Sequence, residues 1–155
     1  MRAFRQLVQL GARGQIRLAV SWLLLGCTRM MIVVLPFSLV RRLLSAGHNS
    51  PADLPRLSSV DEGRSHSIAE SIAIASTRTP WQSECYPQAL TARLELMAAR
   101  IPHVVTFGLR RDDEGTLKAH AWVRAGNVWV SGGDSSDYTV VGSFPWSPRA
   151  DSDAA

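Results

Sequence analysis

Two residues of this 155-residue chain, Cys85 and His120, have the types and surroundings that nucleophilic catalysis requires. Pro80 ends one helical pattern and Ser83 is a natural N-cap, so Cys85 falls in the first turn of the next predicted helix. The backbone N–H groups and the positive end of a helix stabilise a thiolate there. His120 lies in an alternating segment typical of a β-strand, where it could act as the base for that thiol. The pair indicates acyl transfer through a thioester.

Two other interpretations stay open at this point. A lone cysteine is more often a small buried residue, so the chain could be a non-catalytic peptide-binding or scaffold module with an inert Cys85. An enzyme with the same nucleophile could also pass the acyl group to an amine instead of water.

From residue 60 onward the patterns predict helices followed by an antiparallel sheet. Ile68, Ile72 and Ala75 mark a helix over 60–79, and a buried stripe of Leu90, Leu94 and Met97 marks the helix of Cys85, which runs to about residue 99. The predicted strands are 103–110, 116–125, 128–131 and 138–142. The fold class is therefore α+β, with a helix packed on a small antiparallel sheet.

The turn between the second and third strands indicates which acid could orient His120. A two-residue hairpin turn at 126–127 places His120 opposite Gly133, with Asp134 one residue away and able to fix the tautomer of the imidazole. A bulge at the adjoining glycine pair would turn that carboxylate inward. Asp137 is the alternative acid, and either aspartate could instead be a turn residue.

Two further side chains are candidates for contact with a substrate. The Cys85 backbone N–H would hold the developing oxyanion, with Gln82 as an additional side-chain donor. Trp122 shares the strand face of His120 and could wall the site from solvent, or it could simply be an aromatic residue that packs on the sheet. Neither Cys-x-x-Cys nor paired Cys/His spacing occurs, so no metal and no cofactor are predicted.

One ordered series of residues runs through this region: Pro80-Trp81, Cys85, TFGLR at 106–110, AHAWV at 119–123, Gly132-Gly133 and Tyr138. Over roughly residues 60–145 the series resembles the B2 leader peptidases of lasso-peptide biosynthesis, a bacterial transglutaminase-like (papain-like) family. The family tends to place its acid somewhat closer to the histidine than Asp134 lies. It also often has an acidic residue where this chain has Arg124, and a leucine where it has Tyr86.

The resemblance implies a function and a set of partners. It implies a cysteine peptidase with a triad of Cys85, His120 and Asp134, which removes the leader from a ribosomally made precursor peptide. It further implies that the peptidase works with a leader-recognition (B1-type) protein and an ATP-dependent macrolactam synthetase.

The first third of the chain differs in charge from the rest. Residues 1–50 contain seven arginines and no acidic residue, giving +7, whereas the other 105 residues contain ten basic and thirteen acidic residues, giving −3. Such a segment suits an anionic surface or a protein partner. Nucleic acid is not expected, because aliphatic runs separate the arginines and no aromatic cluster is present for base stacking.

An apolar run over residues 18–40 is interrupted by Arg29 and Pro36. An arginine at mid-span opposes a simple membrane-spanning helix, and the apolar run resumes after Cys27, unlike the polar tether of a lipoprotein. We expect a pair of helices, 15–28 and 30–44, that either belong to the core or present an apolar face to a partner or a membrane surface.

These patterns predict the organisation and location of the chain. The predicted regions are basic apolar helices at 1–44, a linker at 45–59, a catalytic domain at 60–146 and a polar tail at 147–155. With two cysteines in different settings no disulfide framework is expected, so the predicted location is the cytoplasm, with membrane association through residues 15–44.

Overall fold

Three helices and a four-stranded sheet make up the computed structural model, which describes residues 11–36, 38–39, 56–81 and 83–148. The helices are α1 (Ala12–Val34), α2 (Ser59–Ser76) and α3 (Cys85–Ala98). The strands are β1 (His103–Arg111), β2 (Leu117–Ala125), β3 (Val128–Ser131) and β4 (Thr139–Trp146). All neighbours in the order β3-β2-β1-β4 are antiparallel. The predicted α+β class is confirmed.

Helices α2 and α3 cover one face of the sheet and form the main core with it. Alternate residues of β2, Ala121, Val123 and Ala125, point into this core. From α3 the core takes Ala89, Leu90, Ala92 and Leu96. The predicted stripe was therefore only partly correct. Leu90 is buried, but Leu94 faces solvent because the buried positions follow a neighbouring helical row.

Helix α1 is one continuous helix, so the predicted break near Arg29 was wrong. Arginine is a good helix former, and a single charge does not end a helix whose neighbours are aliphatic. The helix ends where Leu35 takes an extended conformation (φ −94°, ψ 139°) just before Pro36, as the residue before a proline favours. Most of the remainder of the second predicted helix, and residues 45–55 of the predicted linker, lie outside the described residues.

Polar side chains join α1 to α3. The Ser21 hydroxyl donates to Glu95 Oε1 at 2.7 Å, and the Thr28 and Thr91 hydroxyls lie 3.2 Å apart. Burial raises the pKa of the Glu95 carboxyl, although the Ser21 hydrogen bond and the charge of Arg17 act in the other direction. These contacts agree with the interpretation that the N-terminal helix packs on the body of the domain.

A buried histidine begins strand β1. The His103 side chain is fully buried and its ring lies 5.3 Å from the ring of Trp146. Its Nδ1 lies 2.9 Å from the Ile101 carbonyl oxygen, which can only accept, so Nδ1 carries the proton. Burial lowers the pKa of His103 to about 4, with a smaller contribution from the charge of Arg93.

This histidine should make folding stability depend on pH. Since the pKa is about 4 when folded and 6.5 when unfolded, its stabilisation is complete above pH 6.5 and is lost as the pH falls toward 4. Between about pH 7 and pH 5 the free energy of unfolding should fall by about 2 kcal/mol from this group. In urea denaturation, the free energy of unfolding of His103→Phe should fall by about 2 kcal/mol less between pH 7 and pH 5 than that of the natural chain. The control His66→Gln, at an exposed position, should show the same pH dependence as the natural chain.

Candidate active site

The thiol of Cys85 lies at the start of helix α3, as predicted. Cys85 is the first helical residue and Glu84 is the N-cap, without a side-chain capping hydrogen bond. The predicted cap, Ser83, is one residue too early, and its hydroxyl instead lies 2.8 Å from the Thr79 hydroxyl. Within the described residues the Cys85 backbone N–H makes no hydrogen bond. The helix start therefore offers a donor beside the thiol.

Several contacts fix this helix start. The Thr79 hydroxyl donates to the Trp81 carbonyl at 2.9 Å, and the Gln88 amide donates to the Ser83 carbonyl at 2.7 Å. The ring of Tyr86 meets Phe107 of β1 edge-on at 5.5 Å. The loop between α2 and α3 is thus tied to both of these helices and to the sheet. Gln82, the predicted oxyanion donor, lies outside the described residues.

His120 is held by a backbone carbonyl. It lies on β2 opposite Gly108 of β1, and its Nε2 is 2.9 Å from the carbonyl oxygen of Gly132. Because a carbonyl oxygen can only accept, Nε2 must carry the proton, and Nδ1 of the neutral ring keeps its lone pair. A histidine in this tautomer can take a proton at Nδ1.

The predicted orienting carboxylate does not contact the histidine. Asp134 is exposed and its Oδ1 accepts from the backbone N–H of Ser136 at 3.1 Å. Asp137, the alternative, is also exposed and lies 3.9 Å from Arg110. The described contacts give the orienting position to the carbonyl of Gly132 instead.

The early end of the β2–β3 pairing explains the difference. The hairpin at 126–127 forms as predicted, with Ala125 paired to Val128, and a register shift between Val123 and Arg124 then pairs Val123 with Ser131. Continued along both strands, that register would set His120 opposite Asp134. The paired strand then ends at Ser131, and the two glycines leave it with φ values of +81° and +60°. The turn brings a carbonyl to the imidazole and leaves Asp134 at the surface.

Aromatic rings surround His120. The buried Trp122 ring stacks beside it at 6.0 Å with an interplanar angle of 28°, and the Tyr138 ring lies 5.0 Å away. The Arg110 guanidinium lies 5.0 Å from the centre of the Tyr138 ring. Trp122 is therefore placed beside the histidine, as predicted. Tyr138 belongs to the residue series on which the family resemblance rests, but nothing in the sequence predicted that it contacts His120.

In this structure Cys85 and His120 are not in hydrogen-bond contact, since neither the thiol nor Nδ1 has such a partner among the described residues. Cys85 packs against the main core, to which Ala121 also belongs, and strand alternation directs His120 to the other face of β2. Direct proton transfer between the two groups therefore requires a rearrangement that brings the thiol and the imidazole to the same side of β2.

Comparison with protein families identifies the domain. Residues 27–143, more than half of the chain, match the model of the transglutaminase-like superfamily. The chain belongs to this superfamily. Its members are typically cysteine peptidases or acyltransferases. Comparison with curated proteins and with solved structures found no match.

The match to the transglutaminase-like superfamily gives the site its chemical context. It begins inside α1 and ends inside β4, so it includes both the helix of Cys85 and the strand of His120. A thiol at a helix start and an imidazole with a free Nδ1 are the two groups that acyl transfer through a thioester needs. Among the described residues no group of three or more His, Cys, Asp or Glu side chains could hold a metal ion.

Gly132 should be indispensable to the transglutaminase-like site. A Cβ at this position would lie 2.5 Å from Trp122 Cβ and 2.6 Å from the Ala121 carbonyl, and its φ of +81° already disfavours other residues. Gly132→Ala should therefore lower the free energy of unfolding by about 3 kcal/mol, combining strain and overpacking. Urea denaturation would measure the loss.

Gly133→Ala is the matched control for this substitution. Gly133 also has a positive φ, +60°, but nothing lies within 4 Å of its added Cβ. It should lose only about 1 kcal/mol, the cost of the left-handed backbone. Equal losses in the two variants would show that the close approach of Gly132 to Trp122 is unimportant.

Proposed function

We propose that this transglutaminase-like chain is a cysteine peptidase that removes the leader from a lasso-type precursor peptide through a thioester intermediate. The observation that carries the proposal is the position of Cys85 as the first residue of α3, inside the matched domain. That position supplies a helix N-terminus to the thiolate and a backbone donor to the oxyanion.

The proposed reaction has two steps. After a rearrangement that brings the thiol and the imidazole into contact, His120 Nδ1 accepts the proton of the Cys85 thiol, and the thiolate attacks the carbonyl carbon of the last leader residue. The Cys85 N–H stabilises the oxyanion, the carbon–nitrogen bond breaks, and the imidazolium gives its proton to the leaving amine. Water then attacks the thioester with His120 as base, and this releases the leader acid and the free thiol.

The contacts of His120 support its proposed role as the base. The Gly132 carbonyl holds Nε2–H at 2.9 Å, which leaves Nδ1 for the thiol. The Trp122 and Tyr138 rings limit how far the imidazole can rotate and exclude water from one side of it. In this proposal the carbonyl performs the orienting task that the sequence had predicted for Asp134.

The substrate class and the partners are proposed from the recognised residue series, from Pro80-Trp81 through 119–123 to Tyr138. A leader-recognition protein would deliver the precursor, and an ATP-dependent macrolactam synthetase would close the ring at the amine that cleavage exposes. Hydrolysis and acyl transfer give products of different mass, because a transferase would leave an amide-linked adduct in place of a free leader acid.

Cys85→Ala should abolish leader removal, with a loss of at least about a thousandfold, because no other group can form the thioester. The measurement is mass spectrometry of a lasso precursor incubated with the variant and the leader-recognition protein. The control is Cys27→Ala, which removes the other free thiol, at an exposed position, and should cleave at the normal rate. Comparable cleavage by Cys85→Ala would overturn the assignment of the nucleophile.

The orienting group can be tested separately. Asp134→Asn should change the cleavage rate by less than about threefold, because its carboxylate contacts the Ser136 N–H and not the imidazole. His120→Gln should be about as severe as removal of the thiol, since the base is lost. A hundredfold or larger loss in Asp134→Asn, with unchanged stability, would return the orienting role to the carboxylate.

A further inference from the structure

Helix α1 is apolar on its outward face as well as on the face that packs on the domain. Its inward face carries the hydroxyls of Ser21 and Thr28 next to Leu18 and Leu25, all of them buried. Its outward face, here called the outward stripe, consists of Ile16, Val20, Leu23, Cys27, Met30 and Val34, and all six are exposed. A helix normally directs its aliphatic side chains to the core and its polar ones to water. An apolar medium or partner outside α1 would account for the exposed aliphatic face.

The length and composition of α1 fit a membrane, but its packing excludes a simple crossing. The segment Gly14–Val34 is long and apolar enough to span a bilayer, with a mean hydropathy of 1.6, when length and composition alone are considered. Contacts with α3 at both Ser21 and Thr28 hold the helix alongside the body, however. If α1 crossed the hydrocarbon core, the buried carboxyl of Glu95 and the charged surface of α2 would have to enter the membrane as well. The helix can meet a bilayer only lengthwise.

An open groove of about 570 Å³ borders the outward stripe. It is lined by residues of α1, by Leu35 and by Trp81. Four of the lining residues also belong to the stripe: Leu23, Cys27, Met30 and Val34. The Trp22 and Trp81 rings lie 5.1 Å apart at its edge. Tryptophan favours the boundary between headgroups and acyl chains, so the pair is suitably placed for that depth.

Charge decides between a lipid surface and a second copy of the chain. Residues 1–50 contain seven arginines and no acid, and three of these arginines, Arg13, Arg17 and Arg29, belong to α1. Two copies meeting along α1 would bring these like charges together without a compensating carboxylate from either helix. Anionic headgroups attract the same arginines. We propose that the outward stripe of α1 docks on an anionic membrane surface, with the helix parallel to the bilayer and its aliphatic side chains among the upper acyl chains.

Vesicle sedimentation with the full-length protein tests this. Vesicles of phosphatidylcholine with about 30% phosphatidylglycerol should bind it at least about tenfold more tightly than pure phosphatidylcholine vesicles do. The double variant Leu23→Glu, Met30→Glu should lose at least about tenfold of the binding to anionic vesicles, because two carboxylates would enter the acyl-chain region.

The control makes the same change of charge at exposed apolar positions elsewhere. Val60→Glu with Leu117→Glu replaces side chains that are 61% and 55% exposed, compared with 60% and 63% for Leu23 and Met30. This variant should bind vesicles nearly as well as the natural chain. Circular dichroism would confirm that both variants are folded.

Three results would overturn the proposal. The first is equal binding of anionic vesicles by the two double variants, and the second is no preference for anionic over neutral vesicles. The third is a protein that does not bind vesicles but forms a dimer in analytical ultracentrifugation, which Leu23→Glu, Met30→Glu dissociates; the stripe would then be a self-association surface. None of these results depends on peptide cleavage, so the proposed peptidase function is tested independently.

Discussion

The arrangement around His120 depends on one close approach, that of the Gly132 backbone to Trp122. A side chain at this position would collide with the tryptophan and with the β2 backbone. Because glycine is there, the chain can turn away from β3 and aim a carbonyl at the imidazole. That hydrogen bond determines which ring nitrogen carries the proton. The stack of Trp122 and Tyr138 then confines the ring.

A second constraint links the nucleophile to the N-terminal helix. Helix α3 begins at Cys85, and farther along it presents Thr91 and Glu95 to hydroxyl groups of α1. The cysteine helix is therefore held by the sheet on one side and by α1 on the other. This explains why the superfamily match begins within α1, well before the predicted catalytic region at residue 60.

Sequence patterns that act over a few neighbouring residues correctly predicted the helix start and the hairpin turn. A proline before a capping sequence placed Cys85 at a helix start, and the turn at 126–127 gave the pairing of Ala125 with Val128. The bulge near Val123 could not be predicted, because it depends on how the strand packs on its neighbours. Asp134 does not contact the histidine because the pairing ends at Ser131 and the left-handed conformations of Gly132 and Gly133 turn the chain away. The face of α3 was misjudged at Leu94 because the helix packs on α1 as well as on the sheet, which buries the polar Thr91 and Glu95 and leaves Leu94 at the surface.

The hydroxyl contacts between α1 and α3 have a consequence for sequence divergence. Ser21 meets Glu95 and Thr28 meets Thr91, so the two antiparallel helices are joined at two points separated by two turns of α1. One inserted or deleted residue between those points would rotate one hydroxyl by about 100° away from its partner. Homologues should therefore accept many aliphatic exchanges on the outer side of this segment while keeping its length constant.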